Sequence, residues 1–170
     1  MKLGFIISMV ALLSFSSIQV QAQPMKSGIE TPYKASMNGW LVSLEEANAL
    51  SVKTGKPIMA NFTGTDWCGW CKKLRREVFD TPEFKKWAAE NVILLELDFP
   101  RSFKLPENIQ SQNQQMQQAL GVRGYPTIWF FTLQNNDKGQ VNINAMGKTG
   151  YVAGGPAAFI KVAEAQLAKK

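Results

Sequence analysis

The sequence predicts an α/β fold in which a central mixed β-sheet carries helices on both faces. Short apolar runs typical of buried strands alternate along the chain with stretches that open on helix-capping residues. Turn residues between the last two strand-like runs predict an antiparallel hairpin at the end of an otherwise parallel sheet. The predicted order of elements is therefore α-β-α-α-β-α-β-β-α.

The first 22 residues are predicted to be a signal peptide that does not belong to the fold. Lys2 gives a positive start, the run Leu3–Phe15 is mostly apolar, and small residues suit cleavage after Ala22. The apolar run is shorter than the roughly 20 residues of a membrane span, so an uncleaved N-terminal anchor is the weaker alternative. We therefore expect an exported protein, either periplasmic or secreted, in a compartment where disulfides form and persist.

The segment after the predicted cleavage site divides into an arm and the start of the domain. Residues 23–38 are polar and interrupted by proline and glycine, which predicts a flexible arm, and the domain is expected at residues 39–170. A capping box that begins at Ser43 predicts a helix to about Thr54, with Gly55 at its end.

The remaining elements follow from the same kinds of pattern. A buried strand is predicted where a short run is almost wholly apolar, β-branched or aromatic. A helix is predicted where an N-cap residue precedes a stretch with helical spacing. In chain order the predicted elements are a strand at Ile58–Phe62, a helix ending at Phe79, a helix from Thr81 to Glu90, a strand at Val92–Asp98, a helix at Glu107–Leu120, strands at Thr127–Leu133 and Gln140–Met146 with a turn at 135–139, and a helix from Gly154 to Ala168.

Cys68 and Cys71 are the only cysteines in the chain, and they stand where a predicted strand passes into a predicted helix. A C-x-x-C pair at such a junction is typical of a dithiol–disulfide redox site. Positions i and i+3 share one face of the first helical turn, so the two sulfurs can meet. The helix N-terminus favours a thiolate at Cys68, whereas Cys71, one turn inside, is expected to be more buried.

The composition excludes several other kinds of site. The chain has no histidine, so Ser–His and Cys–His nucleophile pairs and the common histidine metal sites are ruled out. A structural zinc site needs about four ligands, and no second cysteine pair exists, so no metal and no other cofactor is expected. The net charge is +6, but the densest basic group, at residues 72–76, predicts a solvated helix face rather than a nucleic-acid surface.

Two segments of the chain carry a resemblance to a known family. Phe62–Leu74, which reads F-T-G-T-D-W-C-G-W-C-K-K-L, resembles the active-site segment of thioredoxin-like proteins. Gly124–Thr127, which reads G-Y-P-T and precedes a predicted strand, is similar to the cis-proline loop of that family. The combination is much more specific than C-x-x-C alone, and the resemblance extends over residues 40–170. It is greatest to exported thioredoxin-like domains with a C-G-W-C centre.

The resemblance implies a thioredoxin-like fold and a thiol–disulfide oxidoreductase in which Cys68 attacks and Cys71 resolves. Pro126 would be cis and lie beside the disulfide. Tyr125, Pro126 and Thr127 would then bind an extended client segment through main-chain groups, in the manner of strand addition. The alternative for these three residues is an ordinary trans turn with a packed tyrosine.

Trp67 and Trp70 flank the first cysteine and are expected to contact client chains, since aromatic side chains serve as interface anchors. The alternative is that Trp67 packs beneath the motif while Trp70 alone is exposed.

The chain departs from the family at the residue that would assist proton transfer. Thioredoxin carries a buried acid on the strand before its motif, whereas the best-matching residue here is Asn61, which cannot accept a proton. Asp66 or Glu96 is the candidate replacement. Glu96 interrupts an apolar strand, so it either is half-buried and functional or faces solvent.

Three functional interpretations remain open at the level of sequence. The first is an extracytoplasmic oxidoreductase that reduces or isomerises protein disulfides, which would need a membrane-bound electron donor. The second is a client-binding or chaperone-like module with secondary redox activity. The third is a disulfide-donating oxidase, which differs from the first only in potential. The expected partners are protein disulfide or dithiol clients, without nucleic acid or metal. The long stretch Phe99–Gln118 either shapes the choice of client or is a neutral surface elaboration.

Overall fold

A mixed β-sheet lies at the centre of the fold. The computed structural model describes residues 33–135 and 141–169, and those residues form a four-stranded sheet. The strands are β1 (Ile58–Thr63), β2 (Ile93–Asp98), β3 (Thr127–Asn135) and β4 (Val141–Thr149). Their order is β2-β1-β3-β4, with β1 parallel to β2 and antiparallel to β3, and β3 antiparallel to β4. The predicted mixed sheet is confirmed, while residues 136–139 of the predicted turn lie outside the described residues.

Helices cover both faces of this sheet, as predicted. They are α1 (Leu44–Thr54), α2 (Gly69–Leu74), a π-helical segment (Arg75–Phe79) that continues α2, α3 (Pro82–Asn91), α4 (Glu107–Ala119) and α5 (Gly155–Leu167). Phe79, Phe84 and Phe159 form the centre of the core between one face and α2, α3 and α5. Phe62 and Phe131 belong to the core on the other face, with α1 and α4.

The predicted capping residues start and end the helices. The Ser43 hydroxyl accepts a hydrogen bond from the Glu46 N–H at 3.2 Å, and Gly55 ends α1 with a φ of 71°. The prediction of one regular helix through Phe79 is wrong in its last five residues, which are π-helical. There the Asp80 N–H reaches back to the Arg75 carbonyl at 2.9 Å, which widens the turn.

Alternation along β1 and β2 places polar side chains on the α2 side of the sheet. Phe62 packs on the α1 side, so its neighbours Asn61 and Thr63 face the opposite way. The parallel register pairs Asn61 with Glu96 and Thr63 with Asp98, and all four side chains are buried. Glu96 is only 1% exposed, so the alternative in which it faces solvent is wrong.

Residues 33–38 pack against the domain, in contrast to the flexible arm predicted for residues 23–38. Met37 is buried in the core, and Ser36 hydrogen-bonds to the Glu96 carboxylate through its N–H at 2.8 Å and its hydroxyl at 2.6 Å. A buried carboxylate is stable only when hydrogen-bond donors surround it, and Ser36 provides two donors to Glu96 when residues 33–38 pack against the domain.

The rest of the predicted arm and the predicted signal peptide lie outside the described residues. Within the described ranges no helix has the length and apolar character that a membrane crossing requires.

Candidate active site

Cys68 and Cys71 form a disulfide at the start of α2. The strand β1 ends at Thr63, and a short loop delivers Cys68 to the N-cap position, where its N–H donates to the Gly64 carbonyl at 2.8 Å. The backbone N–H of Cys71 points at the sulfur of Cys68, with the nitrogen 3.1 Å from Sγ. The first cysteine therefore occupies the helix end where backbone donors favour negative charge.

The two cysteines are buried to the same extent. The exposed fraction is 5% for Cys68 and 6% for Cys71, so the prediction that Cys71 is the more buried of the two is wrong. The disulfide joins the two side chains across the first helical turn, with the Cα atoms 5.2 Å apart.

A small polar cavity adjoins the second cysteine. It has a volume of about 40 Å³, and its lining includes Cys71, Asn61 and Glu96. The Asn61 Oδ1 atom is buried and has no hydrogen-bond partner among the described residues. Burial raises the pKa of Glu96 above its ordinary value, although the two hydrogen bonds from Ser36 act in the other direction. The structure therefore places a carboxyl group with a raised pKa at the cavity that Cys71 lines.

Asp66 has a different environment. Its Oδ2 atom accepts hydrogen bonds from the Arg101 N–H at 2.9 Å and the Ser102 N–H at 2.6 Å. Hydrogen bonding, chiefly from Ser102, lowers the pKa of Asp66 to about 2. Asp66 thus holds the segment after β2 against the active-site loop.

Asp98 is a structural member of the site that the sequence reasoning missed. Its buried carboxylate accepts hydrogen bonds from the Thr65 N–H at 2.9 Å, the Thr65 hydroxyl at 2.6 Å and the Phe99 N–H at 2.9 Å. The pKa of Tyr33 is raised, first because the tyrosine is partly buried and second because of the nearby charge of Asp98. The alternation L-E-L-D in β2 was the available signal, because it puts Asp98 on the same face as Glu96.

Trp67 is half-buried and joins the active-site loop to neighbouring segments. Its indole N–H donates to the Phe99 carbonyl at 2.8 Å, and the Arg101 guanidinium lies over its ring at 3.7 Å from the centroid. Tyr125 meets the same ring edge to face, with centroids 5.8 Å apart, and stacks on Phe99 at 5.2 Å. Trp67 therefore packs between the active-site loop, Phe99 and Tyr125.

Trp70, between the two cysteines, is the exposed tryptophan of the motif. It is 58% exposed, and its ring lies 5.1 Å from the ring of Tyr151. The Lys73 ammonium sits over both rings, 5.1 Å from the Trp70 centroid and 5.0 Å from that of Tyr151. These contacts hold an apolar surface beside the disulfide in a defined position.

The loop before β3 contains the other predicted client-binding residues. The peptide bond between Tyr125 and Pro126 is cis. The Tyr125 hydroxyl accepts a hydrogen bond from Gln117 at 2.6 Å. Thr127 begins β3 opposite Phe62, near the end of β1 that leads to the cysteines. Contact between the Tyr125 and Trp67 rings thus brings this loop to the active-site segment.

Comparison with known proteins gives consistent matches. A family model described as a thioredoxin-like domain matches residues 44–152. The disulfide bond reductase DsbH of Chlamydia pneumoniae is 30% identical over 125 residues, which cover 74% of this chain and 70% of that protein. A solved structure described as DsbH oxidoreductase matches with a TM-score of 0.65 and 28% identity, covering 85% of this chain and 96% of the other. The thiol:disulfide interchange protein DsbD of Haemophilus influenzae (strain PittGG) is 24% identical over 140 residues, 75% of this chain but 23% of that larger protein.

Proposed function

We propose that this thiol–disulfide oxidoreductase, which belongs to the thioredoxin-like domain family, reduces or isomerises protein disulfides outside the cytoplasm. The observation that carries the proposal is the Cys68–Cys71 disulfide at the start of α2, in a chain without other cysteines. The name of one relative, disulfide bond reductase, supports the reducing direction. The signal-peptide pattern of the first 22 residues supports the location.

The reducing reaction proceeds through a mixed disulfide. The Cys68 thiolate attacks one sulfur of the client disulfide, that bond breaks, and the other client sulfur leaves as a thiolate. Cys71 then attacks the Cys68 sulfur, the second client thiolate leaves, and the enzyme disulfide forms. The client gains two electrons, so an electron donor outside this chain must reduce the enzyme again. We propose a membrane-bound donor for that step.

Cys68 is proposed as the attacking residue because of its position at the helix start. The Cys71 N–H that lies 3.1 Å from the Cys68 sulfur would stabilise a thiolate there. Backbone N–H groups and the helix dipole favour the same charge.

Glu96 is proposed as the acceptor of the Cys71 proton. The resolving thiol must lose its proton to attack, and Glu96 lines the same cavity as Cys71. Its raised pKa brings the carboxylate closer to the pKa of a thiol, which makes it a better general base than an ordinary glutamate. Asp66, with a pKa of about 2 and its Oδ2 atom engaged by the N–H groups of Arg101 and Ser102, is the weaker candidate.

Client binding is proposed at the surface around Trp70 and the Tyr125–Thr127 loop. Trp70 offers an exposed ring next to the attacking sulfur. The main chain at Tyr125, Pro126 and Thr127 would pair with an extended client segment. Trp67 would hold this loop in place through Tyr125 rather than bind the client with its whole ring.

Cysteine variants test the proposed reaction. With a protein disulfide as client and dithiothreitol as electron source, the unmodified enzyme should accelerate reduction. Cys71→Ser should trap a mixed disulfide at Cys68, and Cys68→Ser should abolish catalysis. A Cys68→Ser/Cys71→Ser double variant that still supports all activity toward clients would instead favour a chaperone-like module, for which the exposed Trp70 is the specific argument.

The reduction potential of the pair tests the direction. A value near that of thioredoxin, about −270 mV, is expected for a reductant, whereas about −120 mV would indicate a disulfide-donating oxidase.

A further inference from the structure

A cavity of about 380 Å³ lies between the segment that follows β2 and the helix α4. It is separate from the small cavity beside Cys71. Its lining includes apolar, cationic and amide side chains, among them Phe99, Arg101, Phe103, Lys104, Leu105 and Asn113. Asp98 also lines it, but the Asp98 carboxylate is buried and accepts hydrogen bonds from Thr65 and Phe99. The volume falls within the roughly 300–1,000 Å³ of typical ligand pockets and suits one or two side chains.

The cavity wall is attached directly to the active-site loop. Asp66 accepts hydrogen bonds from the N–H groups of Arg101 and Ser102, and the Trp67 indole donates to the Phe99 carbonyl. The Arg101 guanidinium lies over the Trp67 ring. Trp67 immediately precedes Cys68, so the wall of the cavity is attached next to the residue that would be joined to a client. Since an extended chain advances about 3.3 Å per residue, a client that runs in this direction from Cys68 would bring side chains a few residues from its cysteine toward the cavity.

The chemistry of the lining favours a particular kind of side chain. Phe103 is 44% exposed and lines the cavity, so its ring is accessible to a client side chain. Arg101 and Lys104 are exposed cations that form no ion pair within the described residues. A guanidinium stacked on an aromatic ring keeps the N–H groups in its own plane available for a carboxylate.

We infer that this cavity is a specificity site for client chains, which takes an acidic side chain beside a bulky apolar one, a few residues from the reactive client cysteine. The inference rests on the proposed function, because it assigns the substrate class of the same reaction. Arg101 and Lys104 receive the carboxylate, and Phe103 covers the apolar neighbour. Buried Asn113 closes the cavity and is itself engaged, because its amide donates to the Asp98 carbonyl at 2.9 Å.

Matched peptide disulfides test this assignment with the full reduced protein. One peptide carries Asp-Phe near the cysteine, a second carries Lys-Phe and a third carries Asp-Ser. The neutral disulfide of 2-mercaptoethanol measures reactivity that needs no peptide recognition. We expect the second-order rate constant for reduction of the Asp-Phe peptide to exceed that for the Lys-Phe peptide by about tenfold, since Arg101 and Lys104 attract an aspartate and repel a lysine.

Variants locate the preference in the cavity. Lys104→Glu should remove most of the preference for Asp over Lys, and Phe103→Ser should remove most of the preference for Phe over Ser. Lys161→Glu, an exposed change of the same charge on α5, is the matched control and should leave both preferences unchanged. Thermal melts of all variants establish that they are folded.

The outcomes separate this inference from the proposed function. If the enzyme reduces the neutral disulfide and all peptides at equal rates, the specificity site is refuted while the oxidoreductase stands. If the preference exists but Lys104→Glu, Phe103→Ser and Lys161→Glu all leave it intact, recognition lies elsewhere and the inference is also refuted. If no disulfide is reduced, the proposed reductase function fails and the inference falls with it.

Discussion

Replacing Glu96 with glutamine removes the carboxylate near Cys71 and preserves the size of the side chain. In the native structure that carboxylate accepts hydrogen bonds from the N–H and hydroxyl of Ser36. An amide can keep both contacts, because its oxygen can accept from the N–H and its NH₂ can donate to the hydroxyl oxygen. The substitution therefore removes a proton acceptor while leaving the local packing in place.

The expected effect is on the second chemical step. General bases contribute roughly 10²–10⁴-fold to the steps they assist, and solvent provides a slower route for a thiol proton. We therefore expect Glu96→Gln to slow release of the client by about 10- to 100-fold, with little change in the first attack by Cys68. In the wild type, the rate of client release should increase with pH as Glu96 loses its proton, in a pH range above the ordinary glutamate pKa of 4.5. The variant should lack this increase.

A single-turnover experiment separates the two steps. Reduced enzyme is mixed with a peptide disulfide, quenched with acid and alkylated, and the mixed disulfide is measured by mass spectrometry. The mixed disulfide should accumulate in Glu96→Gln but not in Asp66→Asn, which makes the same chemical change at the other candidate. In Glu96→Gln/Asn61→Asp, release should recover in part, because Asn61 lies opposite Glu96 in the ladder and lines the same cavity.

The stability of the same variant gives an independent check with a defined sign. Because burial raises the pKa of Glu96, the folded state holds this proton more tightly than the unfolded chain. The contribution of Glu96 to stability is thus full below the unfolded pKa and declines as the pH rises through the folded pKa. Thermal melts of Glu96→Gln should show a smaller loss of stability with rising pH than the wild type. Wild-type release rates at every pH, in a folded variant, would refute the proton-acceptor role.

Three further substitutions have expected outcomes. Asp98→Ala leaves buried donors of the active-site loop without their acceptor. It should lower the free energy of unfolding, measured in urea, by about 3–5 kcal/mol. Asp98→Asn keeps an acceptor oxygen and should lower the free energy of unfolding by less than half of that amount. Trp70→Ala removes an exposed ring and should raise KM for a protein client by about 5- to 30-fold, with a change in melting temperature that is small by comparison. Gly64→Ala places a Cβ atom 2.5 Å from the Trp67 ring, so the ring must move, and unfolding in urea should show a loss of about 1–3 kcal/mol.

Local signals made much of the fold predictable. The capping residue Ser43 and the terminating Gly55 act within their own helix, and the alternation of apolar runs with capped stretches reports the element order directly. The redox site could be predicted from the sequence for the same reason, because Cys68 and Cys71 are three residues apart and a single helical turn brings them together.

The parts that escaped prediction depend on contacts between distant segments. The hydrogen bonds between Ser36 and Glu96 join residues separated by 60 positions, so no local pattern marks residues 33–38 as part of the packed domain. The nearly equal burial of the two cysteines differs from what their positions along the helix predict. The large cavity needs the segment after β2 to fold back onto Trp67, which composition alone does not specify.

The end of β2 contains residues of both the proposed proton-transfer site and the proposed client surface. Successive residues alternate between the faces of the sheet, so Glu96 and Asp98 both point toward the α2 side. Glu96 reaches the cavity of Cys71, Asp98 holds the loop that precedes Cys68, and Phe99 contacts Trp67 and Tyr125. Asn61 on β1 has no acidic group, and Glu96 lies beside it on the neighbouring strand, about 4.8 Å away. Because glutamate is longer than aspartate, its carboxylate can reach from β2 toward the site beneath α2. A shift of one residue in the β2 register would turn all of these groups to the wrong face, and the proposed proton transfer and client contact would be lost together with the anchoring of the loop.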